Sequence, residues 1–385
     1  MYNIVTLCKR IVVSDLSLVL LGAGSSTRFD LPVKKQWLRI GSKPLWYYVA
    51  HTLGKSYPFK DIIIATSNSD MKYMQRFGNF KFCQGGATRQ ESLKNALAHV
   101  TSEHVMVTDI ARACVPETLI SRLLHAKDQA DIIVPALKVP DTVTHYGKTI
   151  EREHVKLIQT PQLSRTKCLK EALSKEGDYT DDSSAIKANG GTVWYVEGDL
   201  KAHKLTFAKD LLNLECLTPP SHETFTGFGF DVHQFEDGKV MMLGGIKIQE
   251  NFGFKAHSDG DVALHALTDA LLGAAGAGDI GEHFPDTDEK YKNADSAKLL
   301  EEVVKFIRNV GFEPINCDIT IIAQTPKLGA LKDEMAKRIA EILAIDLYRV
   351  NVKATTTEKL GFTGRKEGVA VQAVANLKFY DWKHS

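Results

Sequence analysis

Metal-binding side chains concentrate in two short runs of the chain, at residues 230–233 and 257–265. Asp231 and His233 are two residues apart, so on an extended strand both side chains leave the same face. His265 supplies a third ligand if the second run continues into a helix, and three protein ligands leave one position of a tetrahedral metal open. An open position accepts water or a substrate oxygen, so the pattern predicts a catalytic site of the zinc type.

The helix expected after residue 258 carries further carboxylates around His265. Asp261, His265 and Asp269 fall at positions i, i+4 and i+8, which form one stripe of a helix. A metal-bound histidine commonly donates its second ring N–H to a carboxylate. We therefore expect Asp261 or Asp269 to orient His265, which distinguishes this cluster from an ordinary Asp-x-His pair at a strand end.

The composition describes an ordinary folded protein. The chain has 385 residues, of which 44% are hydrophobic and 25% charged, and its formal net charge is +1. This length allows two domains, and the balanced charge gives no reason to expect a nucleic acid or an acidic membrane surface as partner. Six cysteines without a Cys-x-x-Cys pair indicate reduced thiols. No apolar stretch approaches the roughly 20 residues of a membrane span, so we expect a cytoplasmic protein.

Two successive α/β patterns predict two domains. Apolar segments alternate with helical patterns from residue 16 to about residue 217, which is typical of a parallel sheet. Both periodicities stop at a Thr-Pro-Pro-Ser run, and a new strand pattern begins near residue 227. We predict a Rossmann-like α/β sheet in residues 1–217, a linker at 218–224 and a smaller α/β domain in residues 225–385.

A glycine-rich loop follows the first predicted strand. Residues 22–29 read Gly-Ala-Gly-Ser-Ser-Thr-Arg-Phe, at the carboxyl end of a strand, where open α/β sheets bind nucleotides. The glycines let backbone N–H groups approach phosphates, and Arg28 and Lys35 add positive charge against a triphosphate. The loop matches neither Gly-x-Gly-x-x-Gly nor Gly-x-x-x-x-Gly-Lys, which argues against dinucleotide and P-loop sites.

Two further strand ends strengthen the nucleotide interpretation. Gly85 and Gly86 precede a predicted helix, and Asp109 closes a predicted strand. A carboxylate in that position can hold a magnesium ion that bridges phosphates. A helix-capping role explains Asp109 equally well when it is taken alone, so the interpretation depends on all three segments together.

These segments resemble two enzyme families joined in one chain. The first half is similar to the 2-C-methyl-D-erythritol 4-phosphate cytidylyltransferase family, and the second half to the 2-C-methyl-D-erythritol 2,4-cyclodiphosphate synthase family. In the second half, Phe-Asp-Val-His, Ala-His-Ser-Asp-Gly-Asp-Val, Gly-Asp-Ile-Gly, Phe-Pro-Asp-Thr-Asp and Lys-Ala-Thr-Thr-Thr-Glu-Lys-Leu-Gly-Phe-Thr-Gly-Arg stand in order. The first half departs at residues 109–113, where Asp-Ile-Ala-Arg-Ala replaces the Asp-Ala-Ala-Arg-Pro of the family. The whole chain resembles the fused bifunctional enzyme of non-mevalonate isoprenoid synthesis.

The resemblance implies that the first half is a nucleotidyltransferase that joins CTP to methylerythritol 4-phosphate and releases diphosphate. The substrate phosphate attacks the α-phosphorus in line, and catalysis is mainly the stabilisation of phosphate charge. Arg28, Lys35 and Lys204 supply positive charge, while Asp109 and magnesium position the triphosphate. The other implied residues are Thr142 and Arg152 for the methylerythritol phosphate, and Gly22, Ala23, Gly24, Gly85, Gly86 and Ser92 for the nucleotide.

For the second half the resemblance implies an intramolecular reaction of a phosphorus–oxygen lyase. The 2-phosphate of the cytidine diphosphate derivative attacks the β-phosphorus, which expels CMP and closes a cyclic diphosphate. Zinc, or another divalent metal, on Asp231, His233 and His265 polarises a phosphate, and Glu358 binds a second ion, magnesium. The substrate residues implied are His257, Ser258, Asp259, Asp279, Gly281 and Asp286, the cytidine residues are Ala323, Pro326, Lys327, Leu328, Ala354 and Thr356, and of these His257 and Thr356 are implied in catalysis.

The resemblance also implies partners for each reaction. Neighbouring subunits of a trimer complete each cyclising site in the family, so the second domain is expected to form a homotrimer or a multiple of one. Phe230, Phe362 and Arg365 would then line a central cavity that binds an isoprenoid diphosphate. The product of the first reaction lacks the 2-phosphate that the second reaction needs. A separate kinase must therefore act between them, and it is a candidate partner of the chain.

Two other functions fit the residues taken without the resemblance. One is a zinc hydrolase fused to a sugar-phosphate nucleotidyltransferase, which would place water on the metal. The other is a nucleotide sensor with a structural zinc. Structural zinc normally has a fourth protein ligand, usually cysteine. No cysteine lies near Asp231, His233 or His265 in the sequence, which argues against the sensor.

Overall fold

The computed structural model of the protein describes residues 14–285, 287–291 and 293–384. They form two compact units. The first contains the described residues up to Leu31 and then Lys43–Thr218, and the second contains Pro32–Ser42 and the described residues from Pro219 onward. The short segment Pro32–Ser42, which holds Lys35, therefore groups with the second unit.

Strands and helices alternate through the first unit, as the sequence pattern predicts. The strands between residues 16 and 197 belong to the first unit, except β2 (Arg39–Ile40), which belongs to the second. Those of the first unit are β1 (Leu16–Leu21), β3 (Lys43–Pro44), β4 (Ile62–Thr66), β5 (Lys81–Gln84), β6 (His104–Asp109), β7 (Ile132–Lys138), β8 (Val143–His145), β9 (Lys148–Ile150), β10 (Lys156–Ile158), β11 (Gln162–Arg165) and β12 (Val193–Glu197). The helices of this unit are α1 (Leu45–Ser56), α2 (Asn68–Met74), α3 (Arg89–Leu97), α4 (Glu117–His125), α5 (Thr166–Ser174) and α6 (Asp182–Ala188).

One large sheet organises the first unit. Its strand order is β10-β7-β11-β6-β1-β4-β5, and β12 pairs with β7. The strands β6, β1, β4 and β5 are parallel, as predicted, whereas β11 runs antiparallel between β6 and β7. Every residue of β1 and β6 is buried. Because β1 and β6 are adjacent and parallel, their carboxyl ends bring residue 22 and Asp109 to the same edge of the sheet.

A covalent cross-link within the first unit corrects the expectation of reduced thiols. Cys114 and Cys216 form a disulfide, with their Cα atoms 5.7 Å apart across a sequence separation of 102 residues. The sequence gives no spacing signal for this pair, because only the fold brings the two residues together. Of the other cysteines, Cys83, Cys168 and Cys317 are free thiols and Cys8 lies outside the described residues.

The second unit is a smaller α/β structure. Besides β2, its strands are β13 (Thr224–Asp237), β14 (Met241–Leu243), β15 (Ile246–Ile248), β16 (Phe252–Phe254), β17 (Phe312–Ile322), β18 (Val350–Thr355) and β19 (Gly368–Phe379). Its helices are α7 (Val262–Ala275), α8 (Ile280–His283), α9 (Ser296–Asn309), α10 (Lys332–Leu343) and α11 (Gly361–Gly364). Along the described chain, no helix is long and apolar enough to cross a membrane.

The long strand β13 and helix α7 approach each other unusually closely. A Cβ atom added at Gly227 would lie 1.9 Å from the carbonyl oxygen of Ala270, and one added at Gly229 would lie 1.9 Å from that of Ala266. Real Cβ atoms do not make such contacts, so the helix backbone rests directly on the strand backbone. Glycine at both positions is therefore required for the distance between β13 and α7.

The sheet of the second unit has one covered face and one open face. Its strand order is β16-β13-β19-β17-β18. Along β13 the residues that alternate with the two glycines point the other way, and Phe228, Phe230 and Val232 are exposed. Exposed apolar side chains in a row on one face of a sheet mark a surface suited to association.

Candidate functional sites

The second unit brings the three predicted metal ligands together. Asp231 and His233 come from β13 and His265 from the first turns of α7. One ligand atom from each lies within 4.8 Å of the others. Asp231 Oδ2 is 3.3 Å from His233 Nε2 and 3.2 Å from His265 Nδ1. The predicted triad therefore exists as a geometric cluster, with all three side chains half-buried.

Hydrogen bonds on the far side of each imidazole fix its orientation. His233 Nδ1 lies 2.8 Å from the carbonyl oxygen of Gly260. His265 Nε2 lies 2.9 Å from Ser296 Oγ, which in turn donates to Asp259 Oδ1 over 2.5 Å. Each imidazole thus turns its other nitrogen, His233 Nε2 or His265 Nδ1, towards Asp231. Hydrogen bonds of this kind commonly orient histidines that bind a metal.

The prediction that Asp261 or Asp269 orients His265 is wrong. The Asp261 carboxylate is fully buried and accepts backbone N–H groups from Ala263 and Leu264, so it caps α7. It also accepts the N–H groups of Gly244 and Gly245. Asp269 accepts the N–H of Ile280 over 2.8 Å. Helical spacing places these carboxylates near His265. They nevertheless accept hydrogen bonds from backbone N–H groups at helix ends and turns, which have no other partner within the helix.

The electrostatics of the cluster favour a bound cation. Burial raises the pKa of Asp231, but the hydrogen bond from His265 and the charges of both histidines outweigh it and hold the pKa below its usual value. Burial lowers the pKa of His265, yet the hydrogen bond and charge of Asp231 dominate and raise it. The Asp231 carboxylate therefore stays ionised, and a metal ion bound there would compete with a proton for His265.

A cavity of about 570 Å³ opens beside the three ligands. His257, Ser258 and Gly281 line it together with the ligands, so three of the predicted substrate residues meet the metal cluster there. Asp279 instead caps α8 by accepting the N–H of Glu282, and Asp259 is bonded to Ser296 as described above. The remaining predicted substrate residue, Asp286, lies outside the described residues.

The predicted cytidine residues lie on another part of the same sheet. Pairing across the sheet places Asp231, Val371, Ile321 and Ala354 in one row, from β13 to β18. Three spacings of about 4.8 Å put the two ends of that row about 14 Å apart. The other cytidine residues occupy the ends of β17 and β18 or the turns that follow them: Ala323, Pro326, Lys327, Leu328 and Thr356. Within one chain they are separated from the metal cluster.

Three other predicted residues of the second unit lie in the segment between β18 and β19. Glu358 accepts a hydrogen bond of 3.0 Å from the hydroxyl of Thr356 and is not a member of the three-ligand cluster. Arg365 is paired with Glu367 through two hydrogen bonds. Phe362, on α11, is 37% exposed.

In the first unit, Asp109 is at the centre of an ionic cluster. Its carboxylate is 2.5 Å from Lys204 Nζ and 3.4 Å from Arg89 Nε, and Arg89 Nη1 also contacts Asp182 Oδ1 at 2.7 Å. Burial raises the pKa of Asp109, but the charges of Arg89 and Lys204 outweigh it and hold the pKa below its usual value. The structure therefore brings the predicted residues Asp109 and Lys204 together, with their charges mutually neutralised.

The glycine-rich segments meet beside this cluster. A Cβ atom added at Gly85 would lie 2.2 Å from the Cβ of Ala23, so the loops after β1 and β5 touch. Gly22 donates to the carbonyl of Ala65, and Gly86 donates to the hydroxyl of Ser92 over 3.0 Å. Gly24 is exposed in the first loop. Ser92 thus supports the shape of the second loop rather than presenting a free hydroxyl.

The other predicted charged residues of the first half are more dispersed. Arg28 is exposed in the loop after β1, and Lys35 begins a short 3-10 turn in the segment that groups with the second unit. Thr142 and Arg152 are exposed on either side of the β8–β9 hairpin. Arg152 donates to the carbonyl of Pro140 over 2.6 Å.

Sequence reasoning assigned no role to three residues that take part in these clusters. Arg89 and Asp182 belong to the ionic cluster of the first unit. Because Arg89 follows the glycine-rich run at Gly85 closely in the sequence, its position could have indicated a place in the nucleotide site. Ser296 bonds to His265 from helix α9. The helix lies 31 positions further along the chain, so no local spacing connects the two residues.

Comparison with known proteins decides the family. Residues 16–218 match the family described as 2-C-methyl-D-erythritol 4-phosphate cytidylyltransferase, and residues 224–378 match the YgbB family. A protein of Campylobacter curvus named bifunctional enzyme IspD/IspF is 56% identical over 96% of this chain and 99% of its own length. The chain belongs to the bifunctional IspD/IspF family.

Other IspD/IspF relatives support the same assignment over the full length. The bifunctional enzyme IspD/IspF of Sulfurimonas denitrificans is 53% identical over 99% of both chains. The solved structure of the bifunctional IspDF from Campylobacter jejuni is 54% identical, with a TM-score of 0.88 over 96% of this chain and 100% of that one. The predicted α/β fold and the predicted pair of activities, cytidylyltransferase and cyclodiphosphate synthase, are thereby confirmed.

Proposed function

We propose that the second unit forms a cyclic diphosphate at the cluster of Asp231, His233 and His265. The observation that carries this proposal is the convergence of three ligand atoms within 4.8 Å at the wall of a cavity of about 570 Å³. The 2-phosphate of the cytidine diphosphate derivative attacks the β-phosphorus, the bond to the α-phosphate oxygen breaks, and CMP leaves. Intramolecular attack needs a folded substrate, and a cavity with convergent polar groups provides that constraint.

The ligand set fits zinc. Two imidazoles and one carboxylate are the protein ligands of many catalytic zinc sites. Bound there, zinc would supply Lewis acidity towards a phosphate oxygen. Asp231, His233 and His265 would hold it, while Ser296 and the carbonyl of Gly260 fix the two rings.

The substrate itself would be held by residues around the cavity. His257, Ser258 and Gly281 line the cavity and would bind the methylerythritol part, and we assign Asp279 and Asp286 to the same role. His257 and Thr356 would also take part in catalysis. Glu358 would bind a second ion, magnesium, for which carboxylate oxygen is the preferred donor.

We infer that the cytidine end of the substrate is bound by a second copy of the chain. The cytidine residues at the ends of β17 and β18 lie about 14 Å from Asp231 across the sheet of one chain. A trimer that packs the open sheet faces together would bring one copy's β18 end to another copy's cavity. Phe230, Phe362 and Arg365 would then face the shared centre and could bind an isoprenoid diphosphate.

For the first unit, we propose the transfer of a cytidylyl group from CTP to methylerythritol 4-phosphate. An oxygen of the substrate phosphate attacks the α-phosphorus of CTP, and the bond to the β-phosphate breaks with release of diphosphate. Lys204, held 2.5 Å from Asp109 in the free protein, is 41% exposed and can turn towards a phosphate. Arg28 and Lys35 would add positive charge, and Asp109 would hold magnesium.

The other residues of the first unit would bind the two substrates. The touching loops at Ala23 and Gly85 support a nucleotide site formed by their backbone N–H groups. In this proposal Gly22, Gly24, Gly86 and Ser92 shape that site. Thr142 and Arg152 would hold the methylerythritol phosphate.

The two activities are separated along the chain and in the reaction sequence. We place the cytidylyltransferase domain at residues 1–217, the linker at 218–224 and the cyclising domain at 225–385, in the cytoplasm. The product of the first reaction must gain a 2-phosphate before the second can use it. A separate kinase therefore acts between the two sites, and we propose it as a partner.

Phosphorus NMR of the full chain tests both activities. With CTP, methylerythritol 4-phosphate and magnesium, diphosphate should be released. With the 2-phosphorylated cytidine diphosphate intermediate, CMP and a cyclic diphosphate should appear, and stripping zinc with a chelator should abolish this second reaction only. Linear hydrolysis products in the second tube would instead indicate a zinc hydrolase, and no diphosphate in the first would refute the assignment of that unit.

A further inference from the structure

A second cluster of metal-binding side chains lies at the opposite end of the first unit's sheet from Asp109. Asp15 precedes β1, and Glu103 and His104 stand at the start of β6. One donor atom from each of the three residues lies within 4.8 Å of the others. His104 Nδ1 is 3.8 Å from Asp15 Oδ2. These residues play no part in the cytidylyltransferase site, which is at the carboxyl ends of the same strands.

The imidazole of His104 has unsatisfied bonding capacity. Its side chain is 1% exposed, and neither ring nitrogen has a hydrogen-bond partner among the described residues. Buried polar groups without partners are rare in folded proteins, and each calls for an explanation such as an ion that is not part of the chain.

Backbone hydrogen bonds hold all three residues in place. The N–H of His104 donates to the carbonyl of Asp15 over 2.9 Å, and the carbonyl of Glu103 accepts the N–H of Thr166 over 2.8 Å. The ligand positions are therefore set by β1, β6 and the residue that begins α5. Sites carried on regular elements keep their geometry better than sites on loops.

One cation competes for this position. Lys127 Nζ lies 3.4 Å from Asp15 Oδ2 and 3.8 Å from Asp128 Oδ2. The lysine side chain is 36% exposed, so it can turn to Asp128 or to water when a metal binds Asp15. The lysine neutralises Asp15 in the free protein without satisfying His104.

We propose that Asp15, Glu103 and His104 form a second divalent-metal site, of the zinc class, that fastens the start of β1 to the start of β6. One imidazole and two carboxylates suit zinc, and water would complete the coordination. The site is separate from the cyclising centre, and its occupancy does not depend on the function proposed for either unit.

Metal content of the full-length protein tests this site. The purified chain is stripped with a chelator, re-equilibrated with micromolar zinc, desalted and measured by mass spectrometry of metals. We expect two zinc ions per chain, one in Asp231→Asn, one in Asp15→Asn and none in the double variant. A single zinc that Asp231→Asn removes would overturn the proposal, as would full retention of two ions in Asp15→Asn. One ion that Asp15→Asn removes and Asp231→Asn retains would instead refute the metal assignment of the cyclising site.

Three further variants separate metal binding from a structural effect. Glu103→Gln should lose the same ion as Asp15→Asn, and it avoids changing the buried His104, whose replacement endangers folding. Asp128→Asn is the matched control, because it removes a neighbouring carboxylate that is 66% exposed and should leave both ions bound. Lys127→Gln should tighten zinc binding about two- to fivefold, as loss of a half-exposed competing ion pair implies. Unchanged or weaker binding in Lys127→Gln would contradict the proposal.

Discussion

The two predicted sites of this enzyme differ in where their positive charge comes from. In the first unit, Asp109 already faces Lys204 and Arg89, so the chain itself carries the cations. In the second unit, the ionic partners of Asp231 among the described residues are the imidazoles of His233 and His265. The first site can stabilise phosphate charge with its own side chains, whereas the second has to take up a metal ion. The difference teaches that one chain can serve two phosphate reactions with different sources of positive charge: its own side chains in addition to magnesium at the first site, and bound metal at the second.

Removal of one metal ligand should break the second site alone. In Asp231→Asn, zinc should be lost and CMP release should fall at least about a thousandfold, since Lewis-acid stabilisation of several kcal/mol disappears. Diphosphate release by the same sample should be unchanged. Asp237→Asn, at the far exposed end of β13, is the matched control. CMP release within tenfold of the unchanged protein would contradict the role of Asp231.

Removal of one built-in cation should break the first site alone. Lys204→Met should lower the rate of diphosphate release about a hundred- to a thousandfold, the usual cost of losing one preorganised charge in the transition state. Zinc content and CMP release should not change. Lys201→Met removes an exposed lysine from the same segment and should have little effect. Equal losses in the two lysine variants would refute a specific role for Lys204.

The contact between β13 and α7 should set the metal affinity. In Gly229→Ala the new methyl group meets the carbonyl of Ala266, so α7 must move away from β13 and His265 from Asp231. We expect zinc to bind about ten- to a hundredfold more weakly and the free energy of unfolding to fall by about 1–3 kcal/mol. Competition with a chromogenic chelator and denaturant unfolding measure the two effects.

Gly273→Ala is the control for this experiment. A methyl group at Gly273 of α7 meets the Cα of Gly227 at 3.9 Å, which is an ordinary contact. Alanine also favours a helix more than glycine does. If Gly273→Ala weakened zinc binding as much as Gly229→Ala, the close approach of α7 at Gly229 would not be what determines the zinc affinity.

Loss of the hydroxyl behind His265 should have a smaller effect on the same site. Ser296→Ala removes the group 2.9 Å from His265 Nε2, and we expect zinc affinity to fall about tenfold, at the lower end for an outer partner of a ligand. Ser296→Thr keeps a hydroxyl and should restore most of the affinity. A turnover defect without any change in zinc affinity would show that Ser296 does not act through His265.

Acidity should separate the two sites without any mutation. The pKa of His265 is raised by Asp231, so protons displace the metal at a higher pH than for a free histidine. Below that pKa, zinc affinity should fall about tenfold per pH unit as His265 becomes protonated. Asp109 has a lowered pKa and stays ionised over the same range. Zinc affinity that does not change from pH 7 to pH 5 would refute this coupling.

The sequence predicted that Asp231, His233 and His265 lie together because local spacing determines their positions. Asp231 and His233 alternate on a strand and His265 follows on a helix, so two periodicities suffice to place them near one another. The strand pattern also predicted the parallel core at β1, β4 and β6. Antiparallel β11 was not predicted, since a short buried strand has the same residue pattern in either direction.

Contacts between distant segments were beyond sequence reasoning. Ser296 reaches His265 only through the packing of α9, and Arg89 reaches Asp182 over 93 positions. The error over Asp261 has a different cause. A carboxylate before a helix has two possible roles, as a cap or as a ligand partner, and the four backbone N–H groups that decide between them include those of Gly244 and Gly245, from a turn far earlier in the chain.

The disulfide of the first unit has a mechanical consequence. Lys204 lies between Cys114 and Cys216 in the sequence, within the loop that this bond closes, and Cys216 is two residues before the end of the unit. Force applied to the chain at Thr218 passes through the sulfur atoms to Cys114, just beyond β6, rather than along the backbone that carries Lys204. Tension on the chain beyond residue 218 therefore bypasses the loop between the two cysteines, so it does not draw Lys204 away from Asp109.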